Sequence, residues 1–151
     1  MDPVTGLADG REFFGWLEEH AQAEHVALAL FDLDGTAALN ERLGLEEVDS
    51  LMARLGTLMR GRCAASEVAA RIGGELFALG LLEDELEEVM IEVERIRLSF
   101  RAASEGATLS VGICDAESLR RSAEQLTLFQ AAEGALDEAK RQGPEGLVVF
   151  H

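Results

Sequence analysis

The stretch that decides the fold is Glu67-Val-Ala-Ala-Arg-Ile-Gly-Gly-Glu-Leu-Phe-Ala-Leu-Gly-Leu81. Two apolar runs flank a glycine pair, and paired glycines supply the positive φ angles that a tight turn needs. The pattern predicts a β-hairpin with strands over residues 67–72 and 75–81 and its turn at Gly73-Gly74. An acid, Glu75, then lies at the tip of the hairpin.

A second apolar run, Val-Ala-Leu-Ala-Leu-Phe over residues 26–31, leads directly into Asp32-Leu-Asp34-Gly35. A short continuous run of this kind is typical of a strand buried on both faces. Carboxylates that project from strand ends beside a glycine turn can gather oxygen ligands for Mg²⁺. Asp32, Asp34 and the hairpin acid Glu75 are therefore candidate metal ligands.

The remaining elements follow from apolar spacing. Apolar residues repeated every three or four positions predict helices, and short alternating or continuous apolar runs predict strands. The predicted helices cover residues 10–23, 37–43, 46–63, 83–101 and 128–141, and the further strands cover 108–114 and 147–150, with a loop to about 125. Bulky Phe13, Phe14 and Trp16 of the first helix are expected in the core. Helices alternating with strands predict one α/β or α+β sandwich domain over residues 1–151.

Charge narrows the classes of partner. The chain has 13 Lys plus Arg against 29 Asp plus Glu, a net charge of −16. Such an acidic body repels phosphate backbones, which argues against nucleic acid or an anionic membrane as the main partner. The widely spaced Cys63 and Cys114 are expected to be reduced core residues. No signal peptide or membrane-length apolar run occurs, so we expect a cytoplasmic protein.

Several motifs occur in order along the chain: Asp2-Pro-Val-Thr-Gly-Leu7, Phe31-Asp-Leu-Asp34, Arg71-Ile-Gly-Gly-Glu-Leu-Phe77, Ser110-Val-Gly112 and Ala135-Leu-Asp-Glu-Ala-Lys140. This series resembles the GGDEF family of diguanylate cyclases. The resemblance implies a nucleotidyl-cyclase-like fold, with a central, mostly antiparallel five-stranded sheet flanked by helices. Its hairpin carries the signature, which here is degenerate and consists of Gly73, Gly74, Glu75, Leu76 and Phe77.

Members of this family join two GTP molecules into cyclic di-GMP, and each domain binds one GTP. By resemblance, Asp32 and Glu75 hold Mg²⁺ together with the carbonyl of Leu33. The resemblance also assigns three nucleotide-binding residues, of which two read the guanine edge and the third approaches the triphosphate: Asn40, Asp49 and Lys140. The cofactor implied is Mg²⁺, bound together with GTP.

The departures from the family pattern fall around the same pocket. The family's fourth signature letter, a catalytic glutamate, falls on Leu76, whose aliphatic side chain neither ligates a metal nor accepts a proton. We therefore assign no catalytic residue. Ala37 and Pro144 stand where the family usually has a lysine and an arginine near the phosphates, and Leu45 stands where a histidine usually follows Gly44.

A second family site, the Arg-x-x-Asp that binds the product inhibitor, corresponds to Ala64 and Glu67. Without the arginine no bidentate contact to guanine or phosphate is available. We therefore expect no cyclic di-GMP binding at this inhibitory site.

The sequence thus predicts a catalytically inactive GGDEF domain of bacterial cyclic di-GMP signalling. It would act as a GTP-sensing module or as a regulatory module that binds another signalling protein. Two alternatives remain open at this point. One is a weakly active diguanylate cyclase in which Asp32 and Glu75 hold the metal without the missing acid. The other is a scaffold that binds no nucleotide and uses its acidic surface to bind a basic partner.

Overall fold

The computed structural model describes residues 1–83, 85–104 and 106–151. A five-stranded sheet has the order β2-β3-β1-β4-β5. Three pairings are antiparallel and the last, between β4 and β5, is parallel. The strands are β1 (Ala27–Leu33), β2 (Val68–Gly73), β3 (Leu76–Leu81), β4 (Leu109–Asp115) and β5 (Leu147–Val149). The predicted mostly antiparallel, five-stranded α+β fold is confirmed.

Helices cover both faces of this sheet. They are α1 (Gly10–His20), α2 (Thr36–Leu43), α3 (Leu45–Arg60), α4 (Leu86–Ala103), α5 (Ala116–Arg121) and α6 (Leu128–Arg141). Helices α2, α3 and α4 pack on one face and form a first core. Helices α1, α5 and α6 pack on the other face and form a second core.

The side chains of β1 alternate between the two cores, as the period of two in a strand requires. Ala27, Ala29 and Phe31 belong to the first core. Leu28 and Leu30 belong to the second. Asp32 continues the second series, so the alternation directs its carboxylate toward the face that carries α6.

Helix α6 lies unusually close to the sheet because β4 carries a glycine beneath it. A Cβ atom built on Gly112 would lie 2.2 Å from the backbone nitrogen of Leu136 and 2.5 Å from the carbonyl oxygen of Ala132. Any side chain at position 112 would therefore push α6 away. This close approach places the last turn of α6, with Lys140, above the end of β1.

The signature hairpin forms, but its turn lies one residue later than predicted. Gly73 still belongs to β2, and the two turn residues are Gly74 and Glu75. Only Gly74 of the glycine pair has a positive φ, +52°. A register shift between Arg71 and Gly73 accommodates the difference.

The other predicted helices and strands are present, apart from differences at their ends and one missed helix. The predicted loop after β4 contains the six-residue helix α5, which is too short for a clear period. Helix α4 begins at Leu86 rather than at 83, and Asp84, within the predicted range, lies outside the described residues. Phe13 is buried but Phe14 is 43% exposed, so the prediction for Phe14 was wrong.

Both cysteines are free thiols. Cys114 is buried in the second core, and Cys63 is half-buried against the first. Burial raises the pKa of each thiol to about 12, so both are protonated and unreactive near neutral pH. This agrees with the prediction of reduced structural cysteines.

Candidate functional site

The acid at the end of β1, Asp32, is only 7% exposed. Its Oδ2 accepts a hydrogen bond from Nζ of Lys140 on α6, which makes an ion pair. Its Oδ1 is buried and has no hydrogen-bond partner among the described residues. One oxygen of this carboxylate therefore has a hydrogen-bond partner among the described residues, and the other has none.

Two opposing effects act on this carboxyl group. Burial raises the pKa of Asp32, and the nearby carboxylates of Glu75 and Asp34 raise it further, while Lys140 opposes the rise. The hydrogen bond to Asp32 raises the pKa of Lys140, so the ammonium group stays protonated. Lys140 is thus the resident counter-ion of a buried acid.

Glu75 and Leu76 stand side by side on the hairpin and have different surroundings. Glu75 is half-buried in the turn and lines the same cleft as Asp32. Leu76 pairs with Asp32 in the register of β1 and β3. Its side chain packs against the second core. The position at which the resemblance implies an acid is therefore held by an apolar side chain that packs against the second core and does not line this cleft.

The backbone carbonyl of Leu33, the third predicted metal ligand, already accepts a hydrogen bond from Oγ1 of Thr36 at 3.0 Å. The N–H of Leu33 donates to the carbonyl of Glu75 at 3.4 Å. A carbonyl oxygen has two lone pairs, so one remains for a cation. Leu33 thus ties the end of β1 to the hairpin turn.

Asp34, the other candidate acid, has a structural role that was not predicted from the sequence. Its carboxylate accepts hydrogen bonds from the hydroxyls of Thr108 at 2.7 Å and Ser110 at 2.6 Å. It also accepts from the backbone N–H of Glu145 at 2.8 Å. Asp34 therefore joins the end of β1 to the start of β4 and to the loop after α6. The alternating hydroxyls Thr108 and Ser110 were the only signal in the sequence.

The candidate site is an open cleft of about 610 Å³ at the carboxyl end of β1. Its walls come from the end of β1, the start of α2, the hairpin turn, and the end of α6 with the loop that follows: Asp32, Leu33, Asp34, Gly35, Thr36, Ala37, Glu75, Lys140, Gly143 and Pro144. Among the lining residues that the structure describes, Lys140 is the one cation, and it is paired with Asp32. The small or apolar side chains of Ala37 and Pro144 occupy two wall positions.

Asn40 lies one turn along α2 from Ala37, whereas Asp49 lies on α3, beyond Gly44. Asn40 is half-buried, and its Oδ1 is buried without a hydrogen-bond partner in the described part of the chain. Asp49 is exposed. Neither residue belongs to the lining of the cleft that contains Asp32. The structure therefore joins Lys140 to the metal candidates, and leaves Asn40 and Asp49 outside that group.

The oxygen groups of the cleft suit a hard cation that a ligand helps to hold. Across residues 1–83, 85–104 and 106–151 no three metal-ligating side chains form a cluster. Asp32 and Glu75 nevertheless supply two carboxylates, one with an orphaned oxygen, and Leu33 supplies a free lone pair. Mg²⁺ commonly binds one or two carboxylates and completes its shell with substrate phosphates and water.

Comparison with known proteins assigns the family. The family model described as "Diguanylate cyclase, GGDEF domain" matches residues 1–145. The chain belongs to the GGDEF family. It is 28% identical to diguanylate cyclase DgcM of Escherichia coli K12, over 94% of this chain and 36% of DgcM. It is 29% identical to diguanylate cyclase DgcP of Pseudomonas aeruginosa, over 98% of this chain and 23% of DgcP. The GGDEF domain thus spans about a third or less of these relatives.

Solved structures agree with this assignment. Diguanylate cyclase SiaD of Pseudomonas aeruginosa, in complex with its activator SiaC, superposes with a TM-score of 0.82 at 29% identity, over 98% of this chain and 60% of SiaD. The GGDEF domain of DgcB from Caulobacter crescentus, in complex with c-di-GMP, has a TM-score of 0.84 at 23% identity, over 100% and 93% of the two chains. At 23% identity, the similarity to the DgcB domain shows a shared fold.

At the position of the family's inhibitory site this GGDEF domain has a structural carboxylate. Oε1 of Glu67 accepts the N–H of Ala64 at 2.9 Å, and Oε2 accepts the N–H of Leu82 at 2.8 Å. The nearby arginines are also engaged, since Arg60 donates to the carbonyl of Thr5 and Arg62 pairs with Glu92. Glu67 therefore closes the end of the hairpin.

No helix in the described part of this GGDEF domain is long and apolar enough to cross a bilayer.

Proposed function

We propose that this GGDEF domain is a non-catalytic regulatory module of cyclic di-GMP signalling that senses GTP. The observation that supports the proposal is the pairing of Leu76 on β3 with Asp32 on β1, with the leucine side chain packed against the second core. Diguanylate cyclase chemistry needs the proton of a hydroxyl removed and charge stabilised on phosphate oxygens. Leucine can do neither, and the lining of the cleft that the structure describes contains one cation, Lys140.

Nucleotide binding requires hydrogen-bond partners and metal ligands, but no catalytic acid at position 76. The orphaned Oδ1 of Asn40 is an acceptor, and the guanine edge presents N–H donors that would satisfy it. Asp32, Glu75 and the Leu33 carbonyl would hold Mg²⁺ brought with the triphosphate, and the ion would neutralise phosphate charge there. Lys140 would stay at the phosphates. Asp49, though exposed, would add a second acceptor for guanine.

Regulation by cyclic di-GMP at the inhibitory site is not part of this proposal. Both oxygens of Glu67 are hydrogen-bonded to backbone amides. Ala64 offers no guanidinium. We infer that this domain does not bind the dinucleotide there.

The test is a calorimetric titration with GTP, with and without Mg²⁺, on the wild type and Asn40→Ala, followed by chromatography for cyclic di-GMP. We expect saturable, Mg²⁺-dependent binding that weakens at least ten-fold in Asn40→Ala, because an amide acceptor of the guanine edge is lost. No product should accumulate. Gly15→Ala, at an exposed position of α1, is the matched control and should bind as the wild type does. Product formation would show an active cyclase, and absence of binding at millimolar GTP would remove the sensing role.

One observation favours a second candidate, a protein-binding module without nucleotide. Leu45, where the family usually has a histidine, is 72% exposed at the start of α3. An exposed leucine at this position suits contact with another protein better than contact with a polar nucleotide. The absence of GTP binding in the titration would favour this candidate.

A further inference from the structure

The two edge strands of the sheet differ in whether another segment of the chain pairs with them. At the β2 edge, Ala8 of the N-terminal segment forms a bridge with Ala70. Its N–H donates to the carbonyl of Ala69, and its carbonyl accepts from the N–H of Arg71. The chain thus covers its own edge there, which is a common protection against strand pairing. At the β5 edge no further strand of the described chain follows.

The outer edge of β5 presents free backbone groups. The carbonyl of Gly146 accepts from Val111 on β4, and the N–H of Phe150 donates to Ile113. Backbone groups alternate in direction along a strand, so those of Leu147 and Val149 point away from β4. The side chain of His151 contacts the Val149 carbonyl at 2.7 Å. Two N–H donors, of Leu147 and Val149, and the carbonyl of Leu147 therefore have no hydrogen-bond partner within the described chain.

Beside this edge lies a groove of about 650 Å³, which we call the β5 groove. It follows residues 147–151 on one side and α6 on the other, where Gln130, Gly134 and Glu138 line it. A Cβ atom built on Gly134 would meet no other atom within 4 Å. The β5 groove shares no lining residue with the cleft that contains Asp32.

The charges of the β5 groove have one sign. Glu124 and Glu138 line it, and neither carboxylate has an ion pair within the described chain. The rest of the lining that the structure describes contains no lysine or arginine. The chain as a whole carries a charge of −16, so a second copy would be repelled while a basic segment would be attracted.

We propose that the β5 groove binds an extended basic segment of a partner protein, which pairs with β5 as an added strand. Such a segment would donate to the carbonyl of Leu147 and accept from the N–H groups of Leu147 and Val149, and its alternate apolar side chains would lie over Gly134. Lysine or arginine side chains between them would reach Glu124 and Glu138. Main-chain pairing supplies affinity and the alternating contacts supply selectivity in this mode of recognition. The inference does not depend on nucleotide binding.

The test uses a fluorescein-labelled peptide of alternating lysine and valine as the probe, with binding followed by anisotropy. Gly134→Leu should weaken binding at least ten-fold because it fills the groove, and it should not lower the thermal midpoint because leucine favours a helix over glycine. Gly15→Leu, at an equally open glycine of α1, is the matched control. It should bind within two-fold of the wild type.

Two further comparisons separate the proposed contacts from general charge attraction. The double variant Glu124→Lys/Glu138→Lys should lose at least ten-fold, while Glu18→Lys/Glu19→Lys on α1, with the same net charge, should stay within two-fold. A peptide with N-methylated valines keeps its charge but lacks those N–H donors, and it should bind at least ten-fold more weakly. Amide exchange of Leu147 and Val149 should slow when the unmethylated probe binds.

Three results would overturn the proposal. One is no saturable binding of the probe. Another is equal loss in the groove variants and their charge-matched controls, which would indicate non-specific attraction. The third is a concentration-dependent dimer of the wild type in sedimentation that Gly134→Leu abolishes, because the occupant would then be a second copy of this chain.

Discussion

Two carboxylates that stand two residues apart, Asp32 and Asp34, have opposite surroundings. Asp34 accepts three hydrogen bonds, from Thr108, Ser110 and the N–H of Glu145. Asp32 accepts one, from Lys140, and its second oxygen is buried without a partner in the described structure. Asp34 is therefore satisfied by its own chain, whereas Asp32 keeps an oxygen that a ligand could use.

The largest expected effect is at Asp34. Replacing it by alanine leaves the fully buried hydroxyl of Ser110, the hydroxyl of Thr108 and one backbone N–H without their acceptor. We expect the free energy of unfolding to fall by about 3 kcal/mol, measured by urea denaturation. The control Glu133→Ala removes an equal charge from an exposed position of α6 and should change it by less than about 0.5 kcal/mol. Equal effects would contradict a structural role for Asp34.

The next effect concerns the apolar wall opposite Asp32. Leu76→Glu removes packing from the second core and adds a carboxylate opposite a buried one, so we expect a loss of about 1–2 kcal/mol. Millimolar Mg²⁺ should restore part of this loss in the variant and change the wild type little. Leu76→Met keeps the packing and should cost less than about 1 kcal/mol. A variant as stable as the wild type would mean that Leu76 contributes little packing.

A smaller effect is expected at Lys140. Replacing it by methionine keeps the aliphatic stem but leaves the buried Asp32 without its counter-ion, which should cost about 1 kcal/mol because Lys140 is half exposed. The double variant Lys140→Met/Asp32→Asn should recover most of that loss, since no buried charge remains. Additive effects in this double-mutant cycle would contradict coupling between the two residues.

The smallest effect is a dependence on pH at Asp32. Burial raises the pKa of Asp32 in the folded state above its ordinary value of about 3.9. The native state therefore holds this proton more tightly than the unfolded state, so the stabilising contribution is complete below the unfolded pKa and is lost as the pH rises through the folded pKa. Relative to Asp32→Asn, the wild type should lose stability from about pH 4 upward. A constant difference in urea denaturation across the acidic range would contradict this.

Local patterns in the sequence were enough to predict the sheet. The continuous run before Asp32 indicated a strand buried on both faces, and β1 is buried throughout. The glycine pair indicated the hairpin, although the turn formed at Gly74 and Glu75, because pairing of Arg71 with Phe77 and of Gly73 with Leu76 sets the register across two strands. Helix α5 was missed because six residues show less than two periods of a helix.

For the candidate site too, some features could be predicted from the sequence and others could not. The resemblance to the GGDEF family implied that Asp32, Leu33, Glu75 and Lys140 belong to one site, and in the structure all four line one cleft. The sequence could not show that Lys140 is paired with Asp32, or that the side chain of Leu76 packs against the second core. The pairing of Lys140 with Asp32 depends on how closely α6 approaches β4 over Gly112.

By itself the sequence determined the family, the alternating faces of the strands and the absence of an acid at position 76, because periodicity and residue type are local properties. Only the tertiary structure decided which acids were satisfied. Asp34 finds its partners 74 to 111 residues away. Asp32 finds its lysine 108 residues away. Partners at such separations are chosen by strand order and by the position of α6, which arise from packing the whole chain.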